Sequence, residues 1–209
     1  HISTRQQALT IGKLGHDVFR RLGELDIPSF AFINGLALGG GLEVGLHCTY
    51  RTVATTALTG LPEVSLGLVP GWGGATLLPK LIGPERAVQV IILNALNNNT
   101  MLKAKDALGL GVVDAIFEPA DFLEKSMAFS ASILNSGQRI DRIDDSTDPN
   151  WEKAIVTCKA AALKKYGGAD IDAPRGALEL ISAARTATRS SGFDAEDQAL
   201  ADLTMSDAL

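Results

Sequence analysis

Apolar residues recur every three or four positions between Thr4 and Leu25, at Ala8, Ile11, Leu14, Val18, Leu22 and Leu25, which predicts a helix with those residues as its apolar stripe. The pattern then shortens. Within "IPSFAFING" the apolar run Ser29 to Ile33, bounded by Pro28 and Gly35, predicts a buried strand. "GLEVGLHC" predicts a short helix opening at a run of glycines, and "YRTVATT" a second β-rich segment. A connector dense in Gly and Pro, "GLPEVSLGLVPGWGG", leads to two helical stretches, "ATLLPKLIG" and "PERAVQVIILNAL". Pro84 stands at the favourable first turn of the second stretch. "KAKDALGLG" predicts a helix closed by glycine, "VVDAIFE" a strand, and about Pro119 to Leu134 a long helix. Strands alternating with helices place the chain in the α/β class.

Beyond Ser136 the pattern changes. "SGQRIDRIDDSTDPN" is polar and turn-forming, and the segments Trp151 to Tyr166, Pro174 to Arg189 and Ala195 to Met205 carry helical periodicity with no strand signal. The expected organisation is an α/β part over 1–136 and a helical appendage over 137–209. No internal repeat or low-complexity tract interrupts either part.

Composition narrows the class. Of 209 residues 46% are apolar and 21% charged, as in ordinary globular chains, and the net charge of −5 is too modest and dispersed for a nucleic-acid groove. No apolar run reaches the roughly 18 residues of a membrane span. The two cysteines, Cys48 and Cys158, lack metal or redox spacing, which points to a reducing, cytoplasmic setting. Three well-separated histidines make no metal site. The chain opens at His1 with no initiator methionine and no signal-peptide pattern, so further sequence is expected upstream.

The candidate chemistry lies in "INGLALGGGLEVGLHCTYR", residues 33–51. Gly39, Gly40 and Gly41 precede a helix start, where unpaired N–H groups and the absence of Cβ atoms can make an oxyanion hole. A tight strand-to-helix turn would look the same. Glu43 follows in the first helical turn among Leu42, Val44 and Leu46. Glu63 comes later, again in an apolar run and before the Gly-rich helix start at Gly71 to Gly74. Two carboxylates in a dry pocket can share a water and divide general-base and general-acid roles. Trp72 either lines a pocket or plugs the turn. His16 and His47 lack the nucleophile-elbow pattern of a Ser/His hydrolase and read as packing residues, and Lys103 and Lys105 read as solvated.

The same stretch, followed by "LPEVSLGLVPGWGGATLLPKLIGPERA" and "LNNNTMLKAKDALGLGVVDAIFEP", closely resembles the crotonase (enoyl-CoA hydratase/isomerase) superfamily over about residues 1–135. The resemblance implies a crotonase-like ββα superhelix, with its N-terminal part outside these residues, followed by a helical connector. It implies that Gly40 polarises a thioester carbonyl, Glu43 activates water, Glu63 exchanges the proton at the α carbon, and Gly71 lies at a helix start near the catalytic water. Gly39, Gly41, Leu61, Pro62 and Trp72 are the accompanying candidate substrate contacts. The implied activity is hydration of a trans-2-enoyl-CoA in β-oxidation, with the coenzyme A thioester as substrate and neither metal nor redox cofactor in this portion. An enoyl-CoA isomerase, or a non-catalytic scaffold docking a thiolase subunit, are the alternatives. The tail "DAPRGALELISAARTATRSSGFDAEDQALADL" is similar to the connector in multifunctional fatty-acid oxidation α subunits, where an NAD-dependent 3-hydroxyacyl-CoA dehydrogenase would follow. A thiolase-type partner or a homo-oligomer would accompany it. Two departures stand out: the family's second oxyanion donor lies in an upstream loop not contained here, and Thr49 stands where many members carry Asp.

Overall fold

The computed structural model describes residues 3–137, 140, 151–165 and 171–206. The polar segment expected to form the boundary lies almost wholly outside the described residues, as does Tyr166. Two three-stranded sheets form the α/β part. In the first, β1 (Phe30–Ile33), β3 (Tyr50–Ala54) and β6 (Ala115–Phe117) are all parallel, in the order β1-β3-β6. In the second, β2 (Leu36–Leu38) pairs in parallel with β4 (Leu58–Gly60), and β4 pairs antiparallel with β5 (Leu102–Lys103). β1 and β2 of one turn therefore stack on β3 and β4 of the next, which is the coil of a ββα superhelix.

That register places the site. Leu38 pairs with Gly60, and the ladder ends on a hydrogen bond from Gly39 N–H to Gly60 O at 2.9 Å. The chain thus leaves β2 and β4 side by side at their C-terminal ends, where open parallel sheets present ligand sites. From β2 it enters α2 (Gly40–His47), and from β4 it passes into a 3₁₀ turn over Glu63–Leu66. Arg51 locks α2 from beneath: fully buried in β3, it donates to Gly45 O and Cys48 O at the helix end and to Val112 O before β6. A buried guanidinium is tolerated because acceptors surround it.

Helices cover the sheets. α3 (Gly74–Ile82) and α4 (Pro84–Val88) follow the Gly-rich connector, with a π turn over Gln89–Leu93 continuing the helical stretch. α5 (Ala104–Leu110) ends at Gly111, and a 3₁₀ turn over Pro119–Asp121 introduces α6 (Phe122–Ser136). α7 (Trp151–Lys165), α8 (Asp172–Ala184) and α9 (Arg189–Thr204) complete the described chain. The last helix begins earlier than its apolar pattern suggests, because the Thr188 side chain caps Ser191 N–H. Ala177, Leu180, Ile181 and Ala184 of α8 are all buried, with α8 packed on α3.

The first helix, α1 (Arg5–Phe19), departs from the expected pattern. Leu14, Val18 and Leu25 of the apolar stripe are more than half exposed, whereas Ala8, Gly12, Gly15 and His16 are buried against α9 and Trp72. Close approach decided the face. A Cβ on Gly15 would lie 2.2 Å from Trp72 Nε1, and one on Gly12 would lie 2.5 Å from Asp197 Oδ1. Gly15→Ala is therefore expected to destabilise the fold by about 1–3 kcal/mol through overpacking. Gly109→Ala, where nothing lies within 4 Å of the added methyl, should stabilise α5 by roughly 0.5–1 kcal/mol. Urea unfolding of both variants checks the contrast, and equal behaviour of the two would contradict this packing.

Candidate functional site

The site forms where the two strand exits meet the first turn of α3. Glu43, in the opening turn of α2, is 2% exposed, and its Oε1 accepts hydrogen bonds from Trp72 N–H at 2.8 Å and Gly74 N–H at 2.9 Å. Glu63 opens the 3₁₀ turn after β4, half-buried, with Oε2 shielded from solvent and without a protein partner. Gly39 makes room for it. Its backbone lies at φ +54°, and a Cβ there would come 2.6 Å from Glu63 Oε1, so geometry and space both require glycine.

The three glycines divide their work. Gly39 N–H is occupied by Gly60 O, and Gly39 O accepts from Leu42 and Glu43 N–H. Gly40 and Gly41 are the first two residues of α2, whose N–H groups have no intrahelical acceptor. The expectation that Gly39 also donates is thus corrected: its donor belongs to the ladder. Leu61 is buried and Pro62 half-buried just before Glu63, and Pro62 O accepts from Ser65 N–H at 2.9 Å. Gly71 is buried in the turn ahead of α3, where a Cβ would meet Leu200 Cδ2 of α9 at 2.6 Å. The helix-start amides that reach Glu43 come from Trp72 and Gly74 instead.

Trp72 bridges several parts of the site. Its ring packs edge-on to Phe19, between Gly15 and Gly40, where a Cβ on Gly40 would lie 3.0 Å away. Its N–H holds Glu43, and its carbonyl accepts from His47 Nε2 at 2.9 Å. His47 is fully buried, and burial, with Arg189 and His16 nearby, lowers its pKa to about 4 against the effect of the Trp72 carbonyl. It is a neutral, packed histidine that fixes the turn.

A second carboxylate shares that turn, and sequence reasoning missed it. Glu196 of α9, fully buried, accepts from Gly73 N–H and Thr76 N–H, each at 2.6 Å. His16 lies between two carboxylates, with Nε2 3.0 Å from Glu196 Oε2 and Nδ1 2.9 Å from Asp197 Oδ1, and its ring stacks on Phe193. Burial opposes its charge, but Glu196 and Asp197 outweigh it and raise its pKa. The available signal was small: two adjacent acids in a helix already rich in acids, and a histidine on the glycine face of α1.

Burial dominates the electrostatics of the two carboxyls. Burial raises the Glu43 pKa well above the ordinary carboxylate value, and Glu63 and Glu196 add to this, against the two amides on Oε1. Glu63 is pushed up to about 7 by burial, with a further contribution from Glu196. A carboxyl that holds its proton longer when folded stabilises the fold fully below its unfolded pKa, and that contribution is lost as pH rises through the folded value. Glu63→Gln should therefore gain stability on the parent between about pH 4.5 and pH 7 and stay level above it. The gain is on the order of 2 kcal/mol, since one pKa unit is about 1.4 kcal/mol and partial exposure screens some of it. Urea unfolding across this range reads the difference, and a constant offset would contradict it.

Residues 2–163 match the family described as enoyl-CoA hydratase/isomerase. The fatty acid oxidation complex subunit alpha of Idiomarina loihiensis is 39% identical over 199 residues, which cover 91% of this chain and 27% of that protein. A crotonyl-CoA hydratase of Syntrophomonas wolfei is 36% identical over 132 residues, 63% of this chain and 49% of its own. The crystal structure of an enoyl-CoA hydratase from Bacillus anthracis superimposes with a TM-score of 0.57 at 26% identity, over 79% of this chain and 63% of that one. The chain spans about a quarter of the length of the α subunit and about half that of the crotonyl-CoA hydratase. With Glu43 buried and Glu63 half-buried at paired strand exits and a family match over most of its length, this chain belongs to the enoyl-CoA hydratase/isomerase family.

Proposed function

We propose that this chain is the hydratase portion of a multifunctional fatty-acid oxidation α subunit and adds water reversibly across the double bond of a trans-2-enoyl-CoA. The observation that carries the reading is that Glu43 and Glu63 follow the paired strands β2 and β4, that Glu63 acts electrostatically on Glu43, and that their hydrogen bonding is unlike. Glu43 Oε1 holds two amides that favour its ionised form, and Glu63 Oε2 is buried without a partner. Burial keeps a proton on the pair near neutral pH, and the amides favour leaving the charge on Glu43. Glu43 then takes a proton from water as its oxygen bonds to the β carbon, and Glu63 gives its proton to the α carbon as the carbon–carbon π bond breaks. Atoms and charge balance: the pair exchanges base and acid forms, and proton exchange with solvent resets it.

The Gly40 N–H, at the opening of α2, is the proposed donor to the thioester oxygen, which gains negative charge as the enolate develops. Gly41, Leu61, Pro62 and Trp72 are the proposed neighbours of the acyl chain, and Gly71 shapes the turn before the α3 amides. The relatives' names support the substrate class: one is a fatty acid oxidation complex subunit alpha, another a crotonyl-CoA hydratase. In this reading residues 1–136 are the hydratase part and 137–209 the connector. An NAD-dependent dehydrogenase follows in the intact protein, and a thiolase-type subunit or a second copy is its partner. The free thiols of Cys48 and Cys158 suit a cytoplasmic enzyme, and among the described residues no helix is long and apolar enough to cross a membrane.

Crotonyl-CoA hydration by the intact protein tests the reading. Glu43→Gln and Glu63→Gln should each lower kcat by about 10²-fold or more, as removal of a general acid or base does, with KM little changed. Near-normal hydration by both variants would overturn the assignment. Double-bond migration without hydration would move the protein to the isomerase branch, and a parent protein inert to both would leave a scaffold.

A further inference from the structure

We infer that Glu196 on α9 is a positioning residue for the Glu43/Glu63 pair, with His16 of α1 as its counter-charge. The inference rests on the hydration reading and extends the site to a helix that lies beyond the residues matched by the family. The first turn of α3 carries the geometry. Its amides alternate between two carboxylates: Trp72 and Gly74 N–H go to Glu43, and Gly73 and Thr76 N–H go to Glu196. Any shift of that turn away from Glu196 moves both donors that orient Glu43.

Glu196 is the acceptor for both Gly73 N–H and Thr76 N–H, which would lose it if the side chain were removed. Two buried amides would be left open, a situation that native structures avoid. The surroundings are equally specific. Facing Glu196 are His16 from α1, Asp197 from its own helix, Glu43 from α2 and Glu63 from the turn after β4. His47 lies near both His16 and Arg189, and Lys13 acts on Asp197. The carboxylate of Glu196 thus adds negative charge beside the pair, and His16 compensates it.

The two members of the ion pair should consequently have opposite effects on the pair's titration, which a purely structural brace would not produce. In the intact protein, Glu196→Gln removes the negative charge and one acceptor. It should lower kcat by about 10-fold or more through misplacement of Glu43, leave KM within about twofold, and move the pH–rate profile to lower pH. His16→Gln leaves Glu196 uncompensated and should move the profile to higher pH. Thermal melts establish that each variant is folded. Profiles of both folded variants that superimpose on the parent's would overturn the inference. If Glu196→Gln does not fold, His16→Gln decides alone: an alkaline displacement supports the inference and an unmoved profile overturns it. A parent protein without hydratase activity would count against the functional reading instead. The pH dependence of unfolding assigned to Glu63 would then decide the inference, being displaced by the ion-pair variants if it holds and unmoved if it does not.

Discussion

The turn that enters α3 and the helix's first residues offer four backbone N–H groups, and two buried carboxylates from different parts of the chain divide them. Glu43 arrives from α2 and Glu196 from α9, and between them they satisfy Trp72, Gly73, Gly74 and Thr76. A helix N-terminus carries partial positive charge, so its amides favour the ionised form of Glu43 against burial, which still raises its pKa. A hydrogen bond to a charged group contributes about 1.5–3 kcal/mol, and four of them offset much of the cost of burying two carboxyls together. Most other features of the site follow from this arrangement. Trp72 is fixed because its N–H and carbonyl are both engaged, α1 lies close because its glycines admit Trp72 and Asp197, and His16 supplies the compensating charge.

The sheets supply the second constraint. Parallel pairing of β2 with β4 makes successive turns of the coil end at one place, so residues that follow each strand meet there without any long-range contact of their own. Glu43 and Glu63 need only fall at the start of the segment after each strand. Gly39 then carries a double requirement: it turns the chain into α2 at positive φ, and it leaves space for Glu63 Oε1. A side chain there would displace the acid it faces.

What was legible in the sequence was local. The strand before Gly35, the helix opening at Gly40, the helix begun by Pro84 and the helix closed by Gly111 were all announced by short patterns of glycine, proline and apolar residues. Glu43 and Glu63 were legible because each is an acid set in an apolar run beside a glycine-rich turn. Glu196 was not, because its partners Gly73, Thr76 and His16 are 120 to 180 residues away in sequence and its own helix is rich in acids. The face of α1 was misleading for the same reason. Its exposed stripe of Leu14 and Val18 has the regular spacing, while the buried side is set by Gly12, Gly15 and His16, whose roles appear only once α9 and Trp72 are in place.

The central claim is that burial keeps one proton on the glutamate pair near neutral pH while the α3 amides hold Glu43 ready as the base. Infrared spectroscopy of the carboxyl stretch, titrated in the intact protein and compared with Glu63→Gln, tests it most directly. The account gives a protonated-carboxyl band in the parent that persists far above the ordinary glutamate range, declines near pH 7 and loses that step in the variant. A parent whose carboxyl groups are all ionised by about pH 5.5, more than one unit above the ordinary glutamate pKa, would contradict it.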